Sequence, residues 1–155
     1  MIYFLAIHVM SKENLTFIVG GEQNHSYPEL SLINLFLIYY MRENLTYEVF
    51  TWLNDPNIEE SQYLGADIMC VYRNLHNTEF SFFIEYDYEL HQKDNTYKMP
   101  HITISNQNFC SLMLNMQWIS EVRPEIAYII DKDGWIYIDT KLPDELDIEI
   151  TKIKK

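Results

Sequence analysis

The sequence predicts an α+β fold: a single domain over residues 1–155, built as a twisted, largely antiparallel sheet with about three helices packed on it. Three observations predict it. A chain of 155 residues with 48% apolar side chains suits one core, since a chain near this length buries roughly 70% of its unfolded surface. Segments with period-two alternation of apolar and polar residues are interspersed with segments whose apolar residues recur at i, i+3 and i+4. The resulting order, ββαβαββαβββ, has no long linker or low-complexity tract, and its repeated ββ steps favour antiparallel pairing.

The elements follow in order. Residues 2–9 and 15–20, rich in Val, Ile, Phe and Thr, read as two strands joined by the polar Met10-Ser11-Lys12-Glu13-Asn14. The first is apolar on both faces, so it is expected inside a sheet with both faces covered. Gly20 to His25 is a polar loop. Ser26 and Glu29 have capping-box spacing and Pro28 suits a first turn, so a helix is predicted from Ser26 to about Arg42, with Leu32, Leu35, Phe36, Tyr39 and Tyr40 as its apolar stripe. Leu45 to Leu53 reads as a third strand. The run Glu13-Asn14-Leu15-Thr16 echoes Glu43-Asn44-Leu45-Thr46, which supports a strand start at both places. Asp55-Pro56 is an N-cap followed by Pro at the first helical position; Leu64, Ile68, Val71 and Leu75 give the stripe of that helix.

Residues 78–91 alternate most regularly: Thr78, Phe80, Phe82, Ile84, Tyr86, Tyr88 and Leu90 against Glu79, Ser81, Phe83, Glu85, Asp87 and Glu89. A strand with one packed and one wet face is predicted there. A turn at Lys93-Asp94-Asn95 would lead to an antiparallel partner over Tyr97–Ile104. Ser105 is expected to cap a helix running to about Glu121, with Phe109, Leu112, Met113 and Met116 inward and Pro124 closing it. Ile126–Ile130 and Trp135–Thr140 flank Asp131-Lys132-Asp133-Gly134, a turn whose Gly supplies positive φ. Leu146, Ile148 and Ile150 alternate in a last strand before a basic tail, residues 151–155.

Composition excludes several function classes. There are 23 Asp and Glu against 11 Lys and Arg, a net charge of −12, and the pI is near 4.7. Direct nucleic-acid or anionic-membrane binding needs clustered cations, so neither is expected. Four Gly and no Walker A, Gly-x-Gly-x-x-Gly or Gly-x-Ser-x-Gly sequence leave no nucleotide loop or nucleophile elbow. Cys70 and Cys110 lie apart in apolar stretches that read as helical, as buried free thiols of a reducing compartment. The apolar start, residues 1–9, lacks a basic leader region, and Leu30–Met41 is shorter than the ~20 residues that span a bilayer. A cytoplasmic setting is the expectation.

Five histidines show no ligand spacing. His91 and His101 are the one pair that could meet, across the expected hairpin, and with Asp87 or Glu89 they make a small hydrolase or metal-dependent enzyme the alternative reading. Glu85, Asp87 and Glu89 are expected on one strand face, successive carboxylates about 7 Å apart given a ~3.4 Å rise. Glycosidase carboxylates have comparable separations, but regular wet alternation supplies no cleft. No cofactor or metal is expected.

The charge arrangement is the remaining clue. Five acids and no Lys or Arg occur from Glu43 to Glu60, and five acids with one Lys from Glu79 to Asp94. The plain account is solubility of an aromatic-rich chain. The sharper one is a surface complementary to a basic protein, with aromatic anchors; a structural or regulatory adaptor, including an acidic mimic of nucleic acid, is a separate alternative. Contact residues under the sharper account are Asp55, Glu59, Glu60, Glu85, Asp87 and Glu89. Trp52, Phe83 and Trp135 are the expected exposed anchors, with Tyr86 and Tyr88 turned inward.

The stretch Leu64-Gly65-Ala66-Asp67-Ile68, a helix feeding the acidic-aromatic strand Phe80–Leu90, belongs to a small acidic chain without a catalytic motif. In this it resembles, as a general type over its whole length, the immunity proteins of bacterial contact-dependent growth inhibition and polymorphic toxin systems. The resemblance implies a non-enzymatic protein that binds a cognate basic toxin domain, often a nuclease, and blocks its active site or substrate groove.

Overall fold

The computed structural model describes residues 2–9, 15–18, 29–42, 46–53, 63–66, 68–74 and 79–145. Among them eight strands and four helices form two antiparallel four-stranded sheets that share one core. The fold is α+β, as the alternating periodicities require, with two sheets where one was expected.

The first sheet has the order β2-β1-β7-β8, from β1 (Ile2–Val9), β2 (Leu15–Ile18), β7 (Ile126–Lys132) and β8 (Trp135–Asp139). As its sequence predicts, β1 is internal and covered on both faces. Leu5 and Ile7 enter the main core, while Phe4 packs with Ile130 on the other side. The β7–β8 hairpin closes through two residues between Lys132 and Trp135. Asp133 (φ 53°) and Gly134 (φ 92°) both take positive φ, which matches the right-handed twist of the flanking strands.

The second sheet, β3-β4-β5-β6, contains β3 (Tyr63–Ala66), β4 (Met69–Asn74), β5 (Glu79–Ile84) and β6 (His101–Ser105). Met69, Val71, Phe82, Ile102 and Ile104 line its inner face. Helix α1 (Leu30–Arg42) touches strands of both sheets. Leu30, Leu32, Ile33, Phe36 and Leu37 are all buried, more than a single stripe, because a helix enclosed by two sheets has little wet face. The predicted cap at Ser26 and Pro28 lies outside the described residues.

Helix α4 (Asn106–Val122) follows β6 as expected. The Ser105 hydroxyl accepts from Asn108 N at 3.1 Å, and Phe109, Leu112, Met113 and Met116 are fully buried. Two asparagines, seven residues apart on α4, cover the open edge of β8. Asn108 Nδ2 donates to Ile136 O (2.6 Å), Asn108 Oδ1 accepts from Ile136 N (2.9 Å), and Asn115 Oδ1 accepts from Ile138 N (3.1 Å). Side-chain amides thus stand in for a ninth strand.

Three expectations are corrected. Leu45–Leu53 is not a strand; α2 (Thr46–Leu53) is a helix in which Val49 is buried and Phe50 and Trp52 half-buried, while Tyr47, Glu48 and Thr51 face out. That pattern is not period two, so the echo of Glu13–Thr16 starts a strand once and a helix once. Leu64–Leu75 is not a helix; β3 and β4 form an antiparallel hairpin, with Tyr63 paired to Tyr72 and Ala66 to Met69. Both faces of β4 are covered, so Met69, Cys70 and Val71 are all buried and alternation disappears from the sequence. Cys70 therefore sits in a strand. The strand from Thr78 ends at Ile84, and α3 (Glu85–Lys93) begins at the next residue. β5 still pairs with β6, Phe83 opposite His101, but across a helix and not a tight hairpin. The last predicted strand, 146–150, and the basic tail lie outside the described residues.

Candidate docking surface

The predicted contact acids that the structure describes all fall on α3. Its composition suits a helix: Glu85 and Asp87 occupy the first turn and His91 and Lys93 the last, matching the helix dipole at both ends. No side chain caps the start. Instead Glu85 N donates to Ile68 O at 2.9 Å, so the turn before β4 fixes where α3 begins.

No residue of α3 is fully buried, yet the helix is held from below. Tyr88 stacks on Phe83 of β5 at 4.9 Å between centroids, and Phe83 stacks on Tyr72 of β4 at 5.1 Å. With Tyr72 and Tyr88 5.3 Å apart, the three rings close a cluster on the outer face of the second sheet. Such ring pairs contribute roughly 0.5–1.5 kcal/mol each beyond area burial. Beyond the helix, Tyr97 folds back and its hydroxyl donates to Asp87 Oδ1 at 2.8 Å, while its carbonyl accepts from His91 Nδ1 at 2.9 Å. Donation to Asp87 holds the Tyr97 hydroxyl's pKa above its ordinary value. Asp94 Oδ1 accepts from both Thr96 N (3.0 Å) and Thr96 Oγ1 (2.6 Å), which keeps its carboxyl below the usual range.

Helical geometry redistributes the three carboxylates. On a strand Glu85, Asp87 and Glu89 would share one face; at ~100° per residue, Asp87 turns away from the other two. Glu85 and Glu89 are exposed and lie one turn apart, about 6 Å along the axis. Asp87 is half-buried and engaged by Tyr97. Tyr86 is 66% exposed beside the two outer acids, where the alternation expected it inside. Phe83, expected outside, is 3% exposed beneath Tyr88. Both reversals follow from the strand-to-helix change at residue 85. The acid-first, base-last order of 85–93 was the sequence signal for it.

The other expected anchors separate. Trp52 is half-buried, edge-on to Phe109 at 6.4 Å. Trp135 is 42% exposed, as expected, but stands at the hairpin of the first sheet. Asp55, Glu59 and Glu60 lie outside the described residues.

His91 and His101 do not converge as a ligand pair. His101 Nδ1 donates to Met99 O at 3.0 Å, and His91 is committed to Tyr97. Among the described residues no group of three or more His, Cys, Asp or Glu could hold a metal ion. Cys70 is buried and Cys110 half-buried, both free thiols. Burial first, and the Glu85 carboxylate second, push the Cys70 thiol up to about 11, so it is a poor nucleophile. Among the described residues no helix is long and apolar enough to cross a membrane. Compared with known proteins, the chain matches no family model, no curated protein and no solved structure.

Proposed function

We propose that this chain acts by docking, as a non-enzymatic immunity protein of the cytoplasm that binds and neutralises a basic toxin domain, a nuclease, through α3. The observation that carries the reading is the outer side of α3: Glu85, Tyr86 and Glu89 are all exposed, on a helix pinned from beneath by Tyr88. The acids draw in a cationic partner whose groove is shaped for phosphates, and Tyr86 supplies a rigid aromatic anchor once contact is made. A helix already held in place loses little further freedom on binding.

The test takes whatever toxin domain the neighbouring reading frames encode; a neighbourhood that encodes none counts against the proposal. The chain should inhibit its nuclease activity, and the association rate should fall steeply with salt. Glu85→Lys with Glu89→Lys should slow association about tenfold or more, and Tyr86→Ala should mainly speed dissociation, by roughly 2 kcal/mol. Full inhibition by all of these variants overturns the proposal.

A further inference from the structure

A second surface has the opposite character. From Met99 to Ser120 there is not one Asp, Glu, Lys or Arg, in a chain of net charge −12. Most of that neutral stretch is α4, whose inner side is core. Its outer side carries Leu114 (57% exposed), Trp118 (40%) and Val122 (53%) at i, i+4 and i+8, a stripe about 12 Å long on one helical face. Ile126, at the start of β7, is 38% exposed as well. Aligned apolar side chains of this size are what an interface core needs, and isolated exposed residues would not fall into such a row.

We propose that α4 is a homodimer interface, two copies packing antiparallel about a two-fold axis through Trp118. The charge distribution names the occupant. A basic partner is drawn to the acidic surfaces, not to this one. A second copy of a strongly negative molecule is repelled through every acidic surface and can approach closely only where charge is missing. The stripe is also self-complementary. With Trp118 against Trp118, Leu114 of one copy meets Val122 of the other, as an isologous contact requires. The same register keeps the two copies' Glu121 about 9 Å apart along the helix axes, so these carboxylates do not face each other. Three aligned residues fall short of the ~800 Å² per partner of a standard interface, so the contact is a weak, concentration-dependent one.

Salt separates this contact from docking through α3. Screening the mutual repulsion should tighten the dimer, whereas a basic partner binds more weakly as salt rises. The experiment is sedimentation equilibrium on the full chain from ~5 to ~500 µM, at ~0.05 and ~0.5 M NaCl. The expected result is a monomer–dimer equilibrium that tightens at the higher salt and weakens at least ~10-fold in Trp118→Glu and in Leu114→Lys, with unchanged circular dichroism. In a Cys110→Ser background, Trp118→Cys should oxidise to a covalent dimer. A monomer throughout both salt conditions overturns the proposal, as does a dimer indifferent to both substitutions or one that loosens as salt is added.

Discussion

Two buried asparagines show how much a single residue's surroundings decide. Asn108 uses both ends of its amide on the backbone of Ile136, whereas the Asn34 amide, fully buried in α1, has no hydrogen-bond partner among the described residues. Asn108→Ala strands a buried N–H and C=O and should cost about 2–4 kcal/mol in urea unfolding. Asn34→Leu removes an amide whose desolvation nothing offsets, and should stabilise by about 1 kcal/mol. Loss of stability in Asn34→Leu would show that the amide has a role in the core. The thiols give a second contrast. At pH 8 the half-buried Cys110 should react with iodoacetamide, while Cys70, its thiol raised to about 11, should react only on unfolding, as peptide mass spectrometry would record. Because the unfolded thiol ionises near its ordinary 9.0, the Cys70 contribution to stability is intact below pH 9 and declines between 9 and about 11.

At the scale of elements, α3 depends on one ring. Tyr88→Ala removes the stack on Phe83 and the approach to Tyr72, and should cost about 2–4 kcal/mol with loss of near-ultraviolet dichroism. Proteolysis should then begin within 85–93, since no residue of α3 is fully buried. First cleavage at another segment would contradict this view of how α3 is held. The same element shows why sequence patterns misled. Tyr86, Tyr88 and Leu90 continue the alternation of β5 by spacing alone, but the β3–β4 turn takes up Glu85 N and ends the strand there. In α4 and the β7–β8 hairpin, local cues and tertiary contacts agree: the Ser105 cap, the inward Phe109, Leu112, Met113 and Met116, and the Asp133-Gly134 turn all stand as their residues imply.

For the whole molecule, net charge is the governing quantity. With 23 carboxylates against 11 bases, self-repulsion opposes the compact state. The melting temperature should therefore rise by a few degrees between ~0.02 and ~0.5 M NaCl. A fall would mean that ion pairs such as Lys132–Glu145, 3.0 Å apart on the surface, outweigh the repulsion.

The sequence by itself determined the α+β class, the internal position of β1, the capped α4 and its buried face, the positive-φ hairpin turn and the acidic character of residues 79–94. Each rests on a local cause: a cap, a period, a turn or a charge count. Tertiary structure alone decided that α2 is a helix, that β3 and β4 replace one, and that Tyr88 of α3 comes to lie over Phe83. Those outcomes depend on what covers each face. A residue's two neighbours in the chain carry no record of the sheet or ring that will lie across from it.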